Sequence, residues 1–148
     1  MRLEQYILNE LFDTKVPVKY IGLKGGRCTW EFKISEKEYK FMATQYEEDG
    51  DWEIQFALMK NNSRWYDYDL TETGDALKVF SGVKACLLDL IKRMSPFAIT
   101  FSSVGEISRD KLYDRFMSYI PKILKGYKSM GKEYGEYKYI KKGELNNG

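Results

Sequence analysis

Leu3, Tyr6, Ile7, Leu11 and Phe12 fall near helical spacing, and Asp13-Thr14-Lys15 with Pro17 closes the run, so the chain is predicted to open with a short N-terminal helix. The period then changes to two. Val18 and Tyr20, then Cys28, Trp30, Phe32 and Ile34, then Tyr39, Phe41 and Ala43, then Trp52, Ile54, Phe56 and Leu58 alternate with polar neighbours, which predicts four strands. Lys24-Gly25-Gly26, Ser35-Glu36-Lys37 and Glu47-Glu48-Asp49-Gly50 carry turn chemistry between them, so neighbouring strands are expected to pair as antiparallel hairpins. The alternation puts the aromatic and aliphatic residues on a covered face. Thr29, Glu31, Lys33, Lys40, Thr44, Glu53 and Gln55 are left on a wet one. After the Asn61-Asn62-Ser63 turn, Arg64 to Leu70 alternates again and reads as a fifth, edge strand.

The pattern becomes helical after Thr71 and Thr73, either of which can cap a helix with Asp75 in its first turn. Ala76, Leu77, Val79, Phe80, Val83, Ala85, Cys86, Leu87, Leu88, Leu90, Ile91 and Met94 make this helix, Asp75 to Met94, apolar around more than half its circumference. Lys92-Arg93 complement its C-terminal dipole and Ser95-Pro96 stops it. Phe97 to Phe101 is a short apolar run expected to be a buried strand, and a second helix starts near Ser108 and is ended or kinked by Pro121. Tyr134 to Ile140 is expected to add one further strand, with disorder beyond Lys142. The expected fold is a single α+β domain over residues 1–142, a largely antiparallel twisted sheet of five to six strands covered on one face by two helices, followed by a disordered tail at 143–148.

Composition narrows the class without naming a reaction. With 43% hydrophobic and 16% aromatic residues in 148, the chain has material for one sizeable core. No signal peptide precedes Cys28 and Cys86, these two cysteines lack metal-ligand spacing, and no window suits a membrane span, so a reduced cytoplasmic setting away from membranes is expected. Net charge is +2 but uneven: Lys122 to Gly148 holds seven Lys against three Glu, a balance of +4, which leaves −2 for the first 121 residues.

The chain has no histidine, which removes Ser-His-Asp and Cys-His mechanisms and the commonest metal ligand. Both cysteines sit among apolar neighbours and read as packing residues. Lys24-Gly25-Gly26-Arg27 lacks the helix that a phosphate-binding loop requires and reads as a hairpin turn. Thr71 to Asp75 reads as a cap in preference to an anion site. Neither Asp67 with Asp69 nor the acidic turn at 47–51 has the spacing of a calcium loop, so no metal and no cofactor are expected.

Two constellations remain. Ser102, Ser103, Ser108, Arg109 and Tyr113 lie between the late strand and the following helix, where α/β proteins often hold polar ligands, and Arg109 and Tyr113 are one helical turn apart. They are the candidate site for a small anionic ligand or nucleotide, against the plainer reading of a capped helix with Arg109 paired to Asp110 or Glu106. Tyr137, Lys138, Tyr139, Lys141 and Lys142 form a basic, aromatic segment suited to single-stranded nucleic acid, against the plainer reading of a final strand with one solvated face.

L-T-x-T-G-D-A-x-K-V-F from Leu70 to Phe80, S-P-F-A-I-T-F from Ser95 to Phe101 and S-R-x-K-L-Y-x-R from Ser108 to Arg115 resemble, in order and spacing, a group of small tailed-bacteriophage proteins with no assigned activity. The resemblance covers Tyr68 to Tyr119, about a third of the chain. It implies a phage protein acting in the cytoplasm of an infected bacterium by binding a host protein. With no catalytic spacing in the chain and a dense supply of Tyr and Trp, the leading expectation is a non-enzymatic inhibitor of a host defence component or nuclease. A small-ligand binder, a nucleic-acid binder and an enzyme using Asp67, Asp69, Glu106 or Tyr113 are the alternatives.

Overall fold

The structure, a computed structural model, describes residues 15–48, 50–60, 64–66, 73–102, 111–133 and 136–145. Strands β1 (Lys19–Lys24), β2 (Arg27–Ile34), β3 (Lys37–Gln45) and β4 (Trp52–Lys60) form an antiparallel meander, and β5 (Arg64–Tyr66) folds back on the end of β4. Helix α1 (Thr73–Met94) crosses over to β6 (Ala98–Ser102), which pairs parallel with the start of β4. Helix α2 (Lys111–Ile123), the hairpin β7 (Tyr127–Glu133) and β8 (Glu136–Lys141), and one helical turn, α3 (Lys142–Leu145), complete the chain. The sheet order is β1-β2-β3-β4-β6-β8-β7, with β5 beside β4. No helix among the described residues is long and apolar enough to cross a membrane.

The α+β class and the mostly antiparallel sheet agree with the alternation, but seven strands in the main path and β5 beside them exceed the five to six expected. The additional strand is β7. Its pattern is broken by a register shift between Ser129 and Lys132, where Gly131 adopts φ +85°, so alternation does not betray it. The expected N-terminal helix lies outside the described residues. Of the tail expected to be disordered at 143–148, 143–145 instead belong to the turn of α3, and 146–148 lie outside the described residues.

Local chemistry explains the element ends. Gly25 and Gly26 both take positive φ (58° and 77°) and close the β1–β2 hairpin, and a Cβ on Gly26 would lie 2.7 Å from the Gln45 carbonyl oxygen. Ser35 and Glu36 close the next hairpin, also at positive φ (49° and 67°), without glycine to ease it. Ser95 ends α1 in the left-handed region, its N–H donating to the Ile91 carbonyl at 2.9 Å, and Pro96 follows. Pro121 neither ends nor replaces the last turn of α2, which runs on to Ile123. Proline cannot donate to the Met117 carbonyl four residues back, and the buried Tyr139 hydroxyl reaches that oxygen at 3.5 Å.

The core lies between one sheet face and the two helices. Trp30, Phe41, Phe101 and Tyr139 from the sheet meet Phe80, Leu87, Leu90 and Phe116 from the helices, and the Phe80 and Phe116 rings stack at 4.3 Å between centroids. Helix α1 approaches β2 so closely that a Cβ on Gly82 would lie 2.6 Å from Cδ2 of Phe32. The opposite face is less wet than its alternation predicts. Thr44 is buried beneath Arg27, whose Nε donates to its hydroxyl at 3.0 Å, and buried Thr100 donates to Asp51 at 3.1 Å. Short hydroxyls between long charged side chains are covered by them, which a two-fold pattern does not reveal.

Candidate functional site

A groove lies between the edge strand β1 and α1. On α1, Ala85, Leu88, Asp89, Lys92 and Arg93 follow the i, i+3, i+4 rule and form one stripe, which together with Val18 and Tyr20 encloses about 350 Å³. A polar latch fixes the floor of the groove. The Trp30 indole N–H donates to Asp89 Oδ2 at 2.7 Å, Arg93 Nε donates to the same oxygen at 2.6 Å, and the Arg93 guanidinium lies 3.8 Å from the centre of the Tyr20 ring, which in turn packs on Trp30. Burial alone would raise the Asp89 carboxyl, but the hydrogen bonds from Trp30 and Arg93 and the charge of Arg93 outweigh it, so the net shift is downward.

Around that fixed floor the surface is apolar and cationic. Ile21, Leu23 and Leu88 are 49%, 55% and 45% exposed. Lys92 stands exposed on the helix side, whereas Lys19, Lys24 and Arg27, three of the four cations from Lys15 to Arg27, belong to the opposite face of the sheet. The sequence did carry a signal: this run of 15–27, and Leu88 as one apolar residue more than the core can cover. Neither points to a site until β1 is known to be an edge strand lying beside α1.

The groove supplies no nucleophile. Burial pushes the Cys28 thiol up from its usual range, it accepts a long contact from the Tyr20 hydroxyl at 3.8 Å, and burial pushes Cys86 up further. Both thiols stay protonated and inert, packing residues of the core.

Of the expected ligand site, Ser103, Ser108 and Arg109 lie outside the described residues; Ser102 ends β6 and Tyr113 is in α2, their side chains likewise outside. Asp67, Asp69 and Glu106 are outside too. The basic segment Tyr137 to Lys142 is described, and the strand splits it over two faces. Tyr139 is a core residue set edge-on to Phe101, so its ring is not available to a base. Tyr137 is half-buried with the Lys132 ammonium 5.2 Å from its ring centre, Lys141 donates to Ser95 Oγ at 2.9 Å, and Lys138 pairs with Asp51 at 3.2 Å on the far face; only Lys142 of the five is exposed.

On that far face Glu53 is raised by burial and by the nearby Glu136 and Asp51 carboxylates. No group of three His, Cys, Asp or Glu among the described residues is arranged to hold a metal ion. A second cleft, about 450 Å³ between Trp52, Met94 and Phe97, has polar walls that are already engaged: Gln45 Nε2 donates to the Gly50 carbonyl at 3.1 Å, and the Tyr127 hydroxyl donates to the Pro96 carbonyl.

No protein-family model, curated protein or solved structure matches the chain.

Proposed function

We propose that this chain is a non-enzymatic binding protein that engages a host-cell protein as an inhibitor, and that the β1–α1 groove is its contact surface. The observation that carries the reading is a floor fixed by the Trp30–Asp89–Arg93–Tyr20 latch with the exposed apolar Leu88 and the exposed cation Lys92 beside it. Apolar residues rimmed by charge are the usual make-up of a protein interface. In the phage setting implied by the resemblance of Leu70 to Arg115, the partner is a protein of the bacterial cytoplasm, with a defence component or nuclease as the target class. A nucleic-acid role for the C-terminal hairpin has weaker support, since Tyr139 is buried in the core and Lys138 pairs with Asp51 on the other face.

The test is affinity purification of the tagged protein from bacterial lysate beside Leu88→Glu and Arg109→Ala. A stoichiometric protein held by the first and third and lost from Leu88→Glu is the expected outcome. Retention on Leu88→Glu would remove the groove from the interface, and capture of nothing by any form would remove the protein-binding reading.

A further inference from the structure

We propose that β1 is a strand-addition site, which takes an extended segment of the partner whose residues alternate between acidic and apolar. The inference deepens, and rests on, the protein-binding reading of the same groove. Among the described residues β1 is the end of the sheet path and pairs only with β2, so alternate backbone N–H and C=O groups along it have no strand partner there. On its helix side this edge is only partly covered, because α1 packs on β2 and β3 and leaves Leu23 55% exposed. Ala85, Leu88 and Lys92 line the space that the side chains of one more strand would fill.

The register gives each face of the incoming strand its chemistry. Leu23 lies opposite Cys28 and Tyr20 opposite Trp30, so both belong to the helix side, whereas Lys19 lies opposite Glu31 and Lys24 opposite Arg27 on the far side. A strand laid along β1 therefore meets Leu23, Leu88 and Ala85 on one face, with Lys92 at the end of that row, and Lys19 and Lys24 on the other. Apolar residues on the first face and carboxylates on the second satisfy both.

The same charges reject the most abundant competitor, a second copy of this chain. Two-fold pairing of β1 with itself keeps the faces in common and sets Lys19 and Lys24 against the lysines of the copy, which is unfavourable between directly opposed like charges. Edge lysines and a bulge, here at Ile21 between Tyr20 and Gly22, are the usual means of preventing indiscriminate pairing. Combined with an apolar groove they become a filter, closed to self and open to acid.

The probe is a short synthetic peptide alternating Val and Glu, labelled with fluorescein and titrated by polarisation. Beside it are run a peptide of the same composition without alternation, the alternating peptide N-methylated at every second residue, and an oligothymidylate. Hydrogen exchange of residues 19–24 is followed in the complex. The alternating peptide is expected to bind, the permuted and N-methylated peptides to bind roughly tenfold more weakly or worse, and exchange to slow along β1. Lys19→Glu and Lys92→Glu, both at exposed positions, should each weaken the alternating peptide roughly tenfold. Equal binding of the N-methylated peptide would overturn strand addition in favour of simple charge attraction, and tighter binding of the oligothymidylate would make the edge a nucleic-acid surface. If no peptide binds while host-protein capture still depends on Leu88, strand addition fails and the protein-binding reading survives.

Discussion

The two ends of the sheet are fastened to their helices by different chemistry. At the β1 end the fastening is ionic: Asp89 on α1 accepts from both Trp30 and Arg93 through one oxygen, and Arg93 covers Tyr20. At the β7 end it is neutral and more deeply buried, with the Tyr139 hydroxyl on the Met117 carbonyl and the Tyr127 hydroxyl on the Pro96 carbonyl. Both ends carry a bulged, lysine-bearing edge strand. Among the described residues, the β1 end leaves Leu88 and Lys92 of its helix exposed beside it. A charged fastening tolerates neighbouring water, so it can sit at the mouth of a groove. A neutral tyrosine bonded to a backbone carbonyl suits a closed interface, because burial costs an uncharged hydroxyl much less than it costs a carboxylate.

The strongest test of this contrast removes what both ends share. Leu87 is fully buried between the sheet and the helices, and Leu87→Asp should cost about 3–5 kcal/mol, measured by urea denaturation; an unchanged midpoint would defeat the assignment of α1 to the core. The ionic end comes next. Asp89→Asn should lower stability by about 1–2 kcal/mol near neutral pH, because it weakens two hydrogen bonds to a carboxylate that is itself partly exposed. Since folding depresses the Asp89 pKa, that contribution is complete above the ordinary carboxylate value of about 3.9 and is lost as pH falls through the folded value. Thermal melts of wild type and Asp89→Asn should therefore converge in acid, and a gap that persists there would show that the carboxylate charge is not what holds this end.

The neutral end has the opposite pH signature. Burial pushes the Tyr127 hydroxyl up to about 12, above its ordinary value of about 10, so its contribution is complete below the ordinary value and is lost as pH rises through the folded one. Tyr127→Phe should flatten the alkaline loss of stability while leaving the acid limb as in wild type. A variant that changes the acid limb instead would break the contrast between the ends. The smallest effect concerns the β2–β3 turn at the ionic end: Glu36→Gly should raise stability by about 1 kcal/mol, because glycine takes the observed φ of 67° without the steric cost borne by a side chain. A lowered midpoint would mean that the glutamate makes contacts worth more than the strain.

Legibility followed the range of the interactions. Strands β2, β3 and β4 and helix α1 were readable because their signals are local: alternation, turn residues, a capped start and a Ser-Pro stop. β7 was not, because Gly131 and the bulge beside it interrupt the period that marks a strand. Of the two readings of Pro121, as an end or a kink of α2, the end is not what is found, for the helix runs on to Ile123. Burial of Thr44 escaped because the Arg27 side chain that covers it comes from another strand. The groove was the least legible feature. Leu88 looks like any core residue of an apolar helix, and the cations of 15–27 look like any solvated loop.

Period, turn chemistry and apolar content act over a few residues, and they were enough for the α+β class, the meander of the first strands, the central helix and the packing role of both cysteines. Tertiary packing settled that β4 pairs in parallel with β6, that β1 ends the sheet among the described residues, and that Leu88 and Lys92 of α1 line a groove with Val18 and Tyr20. Pairing partners and the borders of a core depend on which distant segments bury the most apolar surface and satisfy the most backbone groups together. That sum runs over the whole chain and is written in no single stretch of it.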